Sequence, residues 1–170
     1  MVGPIYRFLA GDHARLDRLL ERAMTEAGAI DRAAYAEFRA GLLKHISMEE
    51  KILLPAAQRM RGGEALALAA KVRLDHGALV ALLVPTPTPA IIATLRTILE
   101  GHNALEEGSG GLYECCEWLM GAEAEVLLAQ LQAALEAPVA PHADGPQVMN
   151  VVRRTLVRAG YDAALMSDTP

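Results

Sequence analysis

Residues 45–50 read HISMEE, and residues 102–107 read HNALEE. A histidine, three residues and a pair of glutamates thus occur twice in a chain with only five histidines. Residues four apart on an α-helix differ by about 40° in azimuth and about 6 Å in rise. His45 with Glu49, and His102 with Glu106, therefore each present an imidazole and a carboxylate on one helix face. Glu50 and Glu107 are turned roughly another 100° and are expected to point more outward.

Each pattern sits on an apolar stripe of helical spacing. One runs Tyr35, Phe38, Leu42, His45, Glu49, Ile52, Ala56, in steps of three and four. The other runs Ile92, Leu95, Leu99, His102, Glu106, and its phase persists through Ser109, Tyr113, Cys116 and Met120 across GSGG (108–111). A break or kink is expected at those glycines. Asp31 is the expected N-cap of the first of these helices, and Pro55 should bend it or end its regular part. Thr88 caps the other, with Pro89 as its first residue. Two further helices are expected. One starts at Pro4 and carries Ile5, Phe8, Leu9, Leu16, Leu19, Leu20 and Ala23, with His13 on the stripe. The other covers about 64–84, with Leu66, Ala69, Val72, His76, Leu79, Val80 and Leu83 on one side.

These four segments form two copies of one unit. Asp12-His13-Ala14-Arg15-Leu16 matches Asp75-His76-Gly77-Ala78-Leu79, and each copy is followed one helix later by the His/Glu-pair motif. The repeat is DHxxL…HxxxEE, one helix pair per copy. The reading is all-α, an up-down-up-down four-helix bundle over residues 1–137, whose last part is an Ala/Leu-rich helix. Residues 138–170 form a linker, PVAPHADGP (138–146), and a short basic C-terminal helix with a loose end.

Two glutamates buried among Leu, Ile and Ala cost several kcal/mol each unless something cationic compensates. The core stripes hold no Lys or Arg to do so. Four imidazoles and two carboxylates from four helices make a mixed N/O site with room for two ions bridged by the glutamates. Such a donor set, without thiolate, suits iron, manganese or zinc. An isolated HxxxE carries little weight, and a lone core histidine is usually just packed. Here four of the five histidines fall in register on four successive helices. The fifth, His142, lies in the linker and is set apart from the site.

Composition agrees and excludes other classes. The 170 residues are 52% hydrophobic and 22% charged, enough for one domain with a real core. A net charge of −5 gives no reason to expect nucleic acid or an anionic membrane as partner. No apolar run approaches the roughly eighteen residues of a membrane span. The opening MVGPIYRFLAGDH lacks a signal peptide's apolar core and cleavage site, and the chain is expected to be cytoplasmic.

The motif set DH…HxxxEE…DH…HxxxEE, with HISMEEKILLP and HNALEEGSGGLY each carrying a trailing apolar pair, resembles the hemerythrin-like HHE cation-binding domain. The resemblance covers residues 1 to about 120. It implies a non-haem di-iron centre in a four-helix bundle, with iron preferred over zinc or manganese. Carried over by position, the ligands are His13, His45, Glu49, His76, His102 and Glu106, with both glutamates bridging. It also implies a small diatomic ligand or peroxide as partner, met as sensor, scavenger or weak oxidoreductase. Iron storage or delivery, and reversible oxygen binding, are the non-catalytic alternatives. A homodimer is left open. Oxygen-carrying hemerythrins have a fifth histidine one turn from the third-helix ligand, where this chain has Val72 and Val80. A ferritin-like carboxylate site would need Glu on the helices that here supply His13 and His76.

Other residues have less to say. Asp12 and Asp75 either accept from imidazole N–H groups or are plainly solvated. Met48, Trp118 and Met120 read as core filler. Adjacent Cys115 and Cys116 make no disulfide framework. Tyr6, Tyr35 and Tyr113 lie two helical turns or more from the nearest ligand, about 10 Å on a regular helix, so a tyrosine reaches the site only where local geometry breaks.

Overall fold

The computed structural model describes residues 2–162 and 164; the end of the tail lies outside the described residues. All its regular elements are helical among the described residues, and no helix there is long and apolar enough to cross a membrane.

Helix α1 (Pro4–Arg22) starts at proline after an extended Gly3. The N–H groups of Ile5 and Tyr6 both donate to Glu117, at 3.0 and 3.1 Å, placing a carboxylate at the positive helix end. Gly3 makes this approach possible, since a Cβ there would lie 2.0 Å from the Glu117 carboxyl carbon. Helix α2 (Arg32–Met48) is capped by the Asp31 carboxylate, which accepts from Ala33 and Ala34, an arrangement that contributes about 1 kcal/mol.

Directly after α2 comes a five-residue π-helical turn, Glu49–Leu53, and then α3 (Leu54–Met60). The N–H of Leu54 reaches back to the carbonyl of Glu49, five residues away. The wider turn sits just before Pro55, which has no N–H to give. Its first residue is Glu49, so the distortion coincides with a candidate ligand.

Helix α4 (Ala69–Leu82) begins five residues later than the sequence pattern suggests. Helix α5 (Pro89–Glu107) is capped by the Thr88 hydroxyl, which accepts from Ile91 at 3.2 Å. It stops at Glu107, and α6 (Leu112–Met120) restarts after the glycines. Gly110 has φ of 71°, and a Cβ on Gly111 would come within 2.7–2.8 Å of three carbonyl oxygens, so both positions demand glycine. A 3-10 turn (Gly121–Glu123) leads into α7 (Ala124–Gln132), which packs on α1. Helix α8 (Pro146–Ala159) packs on α4, with Val152, Leu156 and Ala159 buried in the same core.

The apolar core divides in two. One cluster includes Leu16, Leu42, Leu79 and Leu99; the other includes Leu9, Met48, Val72 and Leu112. On each of α1, α2, α4 and α5, the motif histidine stands where the chain passes from one cluster to the other. The polar residues thus form a layer between two apolar blocks.

Candidate metal centre

Every histidine and both first glutamates of the repeat are buried in that layer: His13, His45, His76 and His102 are at most 3% exposed, Glu49 and Glu106 fully buried. They come together in two groups. His13, His45, Glu49 and Glu106 form one, and Glu49, His76, His102 and Glu106 the other, with one donor atom from each residue within 4.8 Å of all the rest of its group. The two glutamates are common to both.

All four rings have the same sense. Their Nε2 atoms face the central carboxylates: His13 to Glu106 at 3.4 Å, His45 to Glu49 at 3.3 Å, His76 to Glu49 at 3.0 Å and His102 to Glu106 at 3.2 Å. Their Nδ1 atoms face outer carboxylates. His13 meets Glu107 at 2.6 Å, His45 meets Asp12 at 2.9 Å, His76 meets Glu50 at 2.7 Å, and His102 lies 3.8 Å from Asp75. Here the doubled glutamate and the repeated DH find their reason. The aspartate of each copy faces the second histidine of its own copy. The second glutamate crosses to the first histidine of the other copy. Glu50 and Glu107 are turned outward as helical pitch requires, 29% and 32% exposed, yet they are engaged with a ring nitrogen. Asp12 accepts from the His45 ring, whereas Asp75 faces His102 without a hydrogen bond to it and accepts from Lys71 and Tyr161 instead; neither is a free solvated group.

The atoms of the inner layer fit a cation. Glu49 Oε2, Glu106 Oε1 and His76 Nε2 are buried without a hydrogen-bond partner, although His76 Nε2 and Glu49 Oε2 are 3.0 Å apart. Lone pairs that converge without sharing a proton are the arrangement a metal ion satisfies. Without one, protons must compensate. Burial lowers the His45 imidazole, but the Glu49 charge and the Asp12 hydrogen bond outweigh it and raise it to about 10. His76, likewise disfavoured by burial, is raised to about 9 by Glu49 and Glu50. Glu49 is held well below its usual range because His45 and His76 together outweigh its burial.

Tyr113 is the residue that sequence reading set aside. Its hydroxyl donates to Glu49 at 2.5 Å and lies 3.0 Å from Glu106, 3.1 Å from His13 Nε2 and 3.3 Å from His45 Nε2. A regular helix would carry it two turns past Glu106. The chain instead breaks at residues 108–111 and restarts as α6, folding Tyr113 back over the site. Burial first, then the Glu49 and Glu106 charges, push its phenol well above the ordinary tyrosine range, so in the metal-free chain it is a neutral donor. The signal for this return lies in GSGG (108–111), because a break there frees Tyr113 from the helical spacing that would hold it away.

Several residues stay outside. His142 is exposed, its ring meeting only the Val84 carbonyl and Tyr35. Trp118 is 81% exposed and so is not core filler, whereas Met48 and Met120 are buried as expected. Cys115 and Cys116 are free thiols, and burial above all pushes Cys116 up to about 12, away from thiolate chemistry. Val72 is fully buried and Val80 is 36% exposed on the surface; neither offers a donor.

The outer carboxylates make a test. Glu107→Gln or Glu50→Gln keeps the size and removes the charge that orients one ring, and should weaken metal retention against a chelator by roughly tenfold. Unchanged retention in both variants would show that these carboxylates merely hydrate the rim.

The hemerythrin HHE cation binding domain matches residues 5–121 of the chain. The protein belongs to that family of cation-binding domains, and its buried His/Glu groups fit a metal site. Neither the curated proteins nor the solved structures contain a match.

Proposed function

We infer that the site holds two iron ions and that the protein reacts with, or senses, dioxygen, peroxide or nitric oxide. The observation that carries this reading is the pair of donor groups sharing Glu49 and Glu106. His13 and His45 would serve one ion, His76 and His102 the other, and the glutamates would span both. In this reading α1, α2 with α3, α4, and α5 are the four legs of an up-down-up-down bundle, in a cytoplasmic protein. Iron held by nitrogen and oxygen donors exchanges electrons with such small oxidants when bound.

The chain's own residues favour reaction over reversible carriage. Val72 and Val80 leave unsupplied the donor that a fifth histidine would give. Tyr113 places a protic hydroxyl among the inner donors instead, holding its proton toward Glu49. The flanking apolar clusters keep bulk water from the layer, so that a neutral diatomic molecule enters more readily than an ion.

The experiment is to load the protein with Fe(II) without air, add dioxygen, and then apply vacuum. Iron should convert to the ferric state, absorbing in the near ultraviolet, and stay there. Recovery of ferrous protein over several vacuum cycles would establish an oxygen carrier and overturn the reading.

A further inference from the structure

The two halves of the site are alike in sequence and unlike in what encloses them. In the first copy, Asp12 holds His45 from a position 16% exposed, and its remaining partner is Arg15, itself 44% exposed. In the second copy, Asp75 is fully buried. Its Oδ1 accepts from the Lys71 ammonium at 2.5 Å and from the Tyr161 hydroxyl at 2.8 Å. Its Oδ2 carries no hydrogen bond and faces His102 Nδ1, which carries none either.

Tyr161 comes from beyond the C-terminal helix. Gly160, at φ of 91°, ends α8 in the left-handed region, and the Tyr161 N–H bonds back to the Leu156 carbonyl. That turn aims the phenol at α4. Lys71 ties the same corner together, donating also to the Ala159 carbonyl at 3.0 Å and lying 4.6 Å over the Tyr161 ring. Lys71 and Tyr161 together fix one carboxylate oxygen, and the other faces His102. No part of α8 does the same for Asp12.

We propose that Tyr161 is a positioning residue of the metal centre: it fixes the Asp75 carboxylate that faces His102, and so acts on the His76/His102 ion position and not on the other. The C-terminal extension is then part of the site's outer frame. This rests on the two-ion reading above.

The test uses the full chain with Co(II) as probe, since its visible bands report the ligand field of each ion. Protein loaded with two equivalents is challenged with a chelator, and release is followed in the wild type and in Tyr161→Phe, which keeps the ring and removes one hydroxyl. One of the two ions should leave roughly tenfold faster in the variant, with its band shifted, while the other stays within about twofold of wild type. Asp75→Asn should affect the same ion at least as strongly. In a His102→Ala background, Tyr161→Phe should no longer change release of the ion that remains. Equal acceleration of both ions, together with a lowered melting temperature of the metal-free variant, would mean that Tyr161 only stabilises the fold and would overturn the proposal. Unchanged release and spectrum would overturn it as well. A wild type that takes up fewer than two Co(II) ions instead overturns the two-ion reading, and is seen before any variant is compared.

Discussion

With the two ions proposed for the centre, Glu49→Ala should take the metal content of the purified protein from about two ions per chain to one or none, and Glu106→Ala should do the same. Each carboxylate belongs to both donor groups, so its loss removes a donor from each ion position at once. Loss of one histidine takes a donor from one position only. Two effects are combined in the alanine variants, because both sites are fully buried and the truncation also opens a cavity. The isosteric Glu49→Gln separates them. It keeps the volume and one oxygen donor but lacks the charge, and should retain the fold while losing most of the metal. His142→Ala is the comparison, with metal content as in the wild type, since its exposed ring meets the Val84 carbonyl and Tyr35 and none of the inner donors. Full occupancy of both positions in Glu49→Ala or Glu106→Ala, measured by elemental analysis, would end the bridging assignment.

How far the sequence could be read follows from which interactions are local. The helix starts at Pro4, Asp31 and Thr88 were legible because caps and prolines act within one turn. The convergence of His13, His45, His76, His102, Glu49 and Glu106 was legible because a shared apolar stripe leaves a polar residue nowhere else to go. The late start of α4 was not. Residues 64–68 are rich in helix formers, and Leu68 at the boundary makes no side-chain cap bond that could have marked it. Glu50 and Glu107 were placed outward correctly by pitch, but their engagement with the opposite copy is a tertiary fact that no one-helix argument contains. Tyr113 shows the sharper limit. Helical phase kept it on the stripe, and the conformation of the glycines decided that it would arrive at the inner donors rather than two turns away. Tyr161 depended on where α8 docks, which its amphipathic pattern alone could not specify.

Removing the metal should lower the melting temperature substantially without unfolding the chain at neutral pH. The metal-free layer holds two fully buried carboxylates against four imidazoles, and the inner atoms Glu49 Oε2 and Glu106 Oε1 have no hydrogen-bond partner. Protons on His45 and His76 offset part of that charge, which is why the rest of the core can still close around it. An ion satisfies the same atoms more fully, and it binds the folded chain in preference to the unfolded one. At a free metal concentration of 100 to 1,000 times the dissociation constant, each ion adds about 2.7 to 4.1 kcal/mol. For a chain of this size each kcal/mol moves the midpoint by roughly 2–4 °C, so one ion corresponds to a rise on the order of 10 °C and two to more. The comparison is a thermal scan of metal-free and reloaded protein in one buffer, followed by circular dichroism. Glu49→Gln, which keeps the core filled, should lose most of the difference between the two scans. Equal midpoints for metal-free and reloaded wild type would show that the buried His/Glu layer is stable on its own protons, and the metal assignment would then lose its energetic basis.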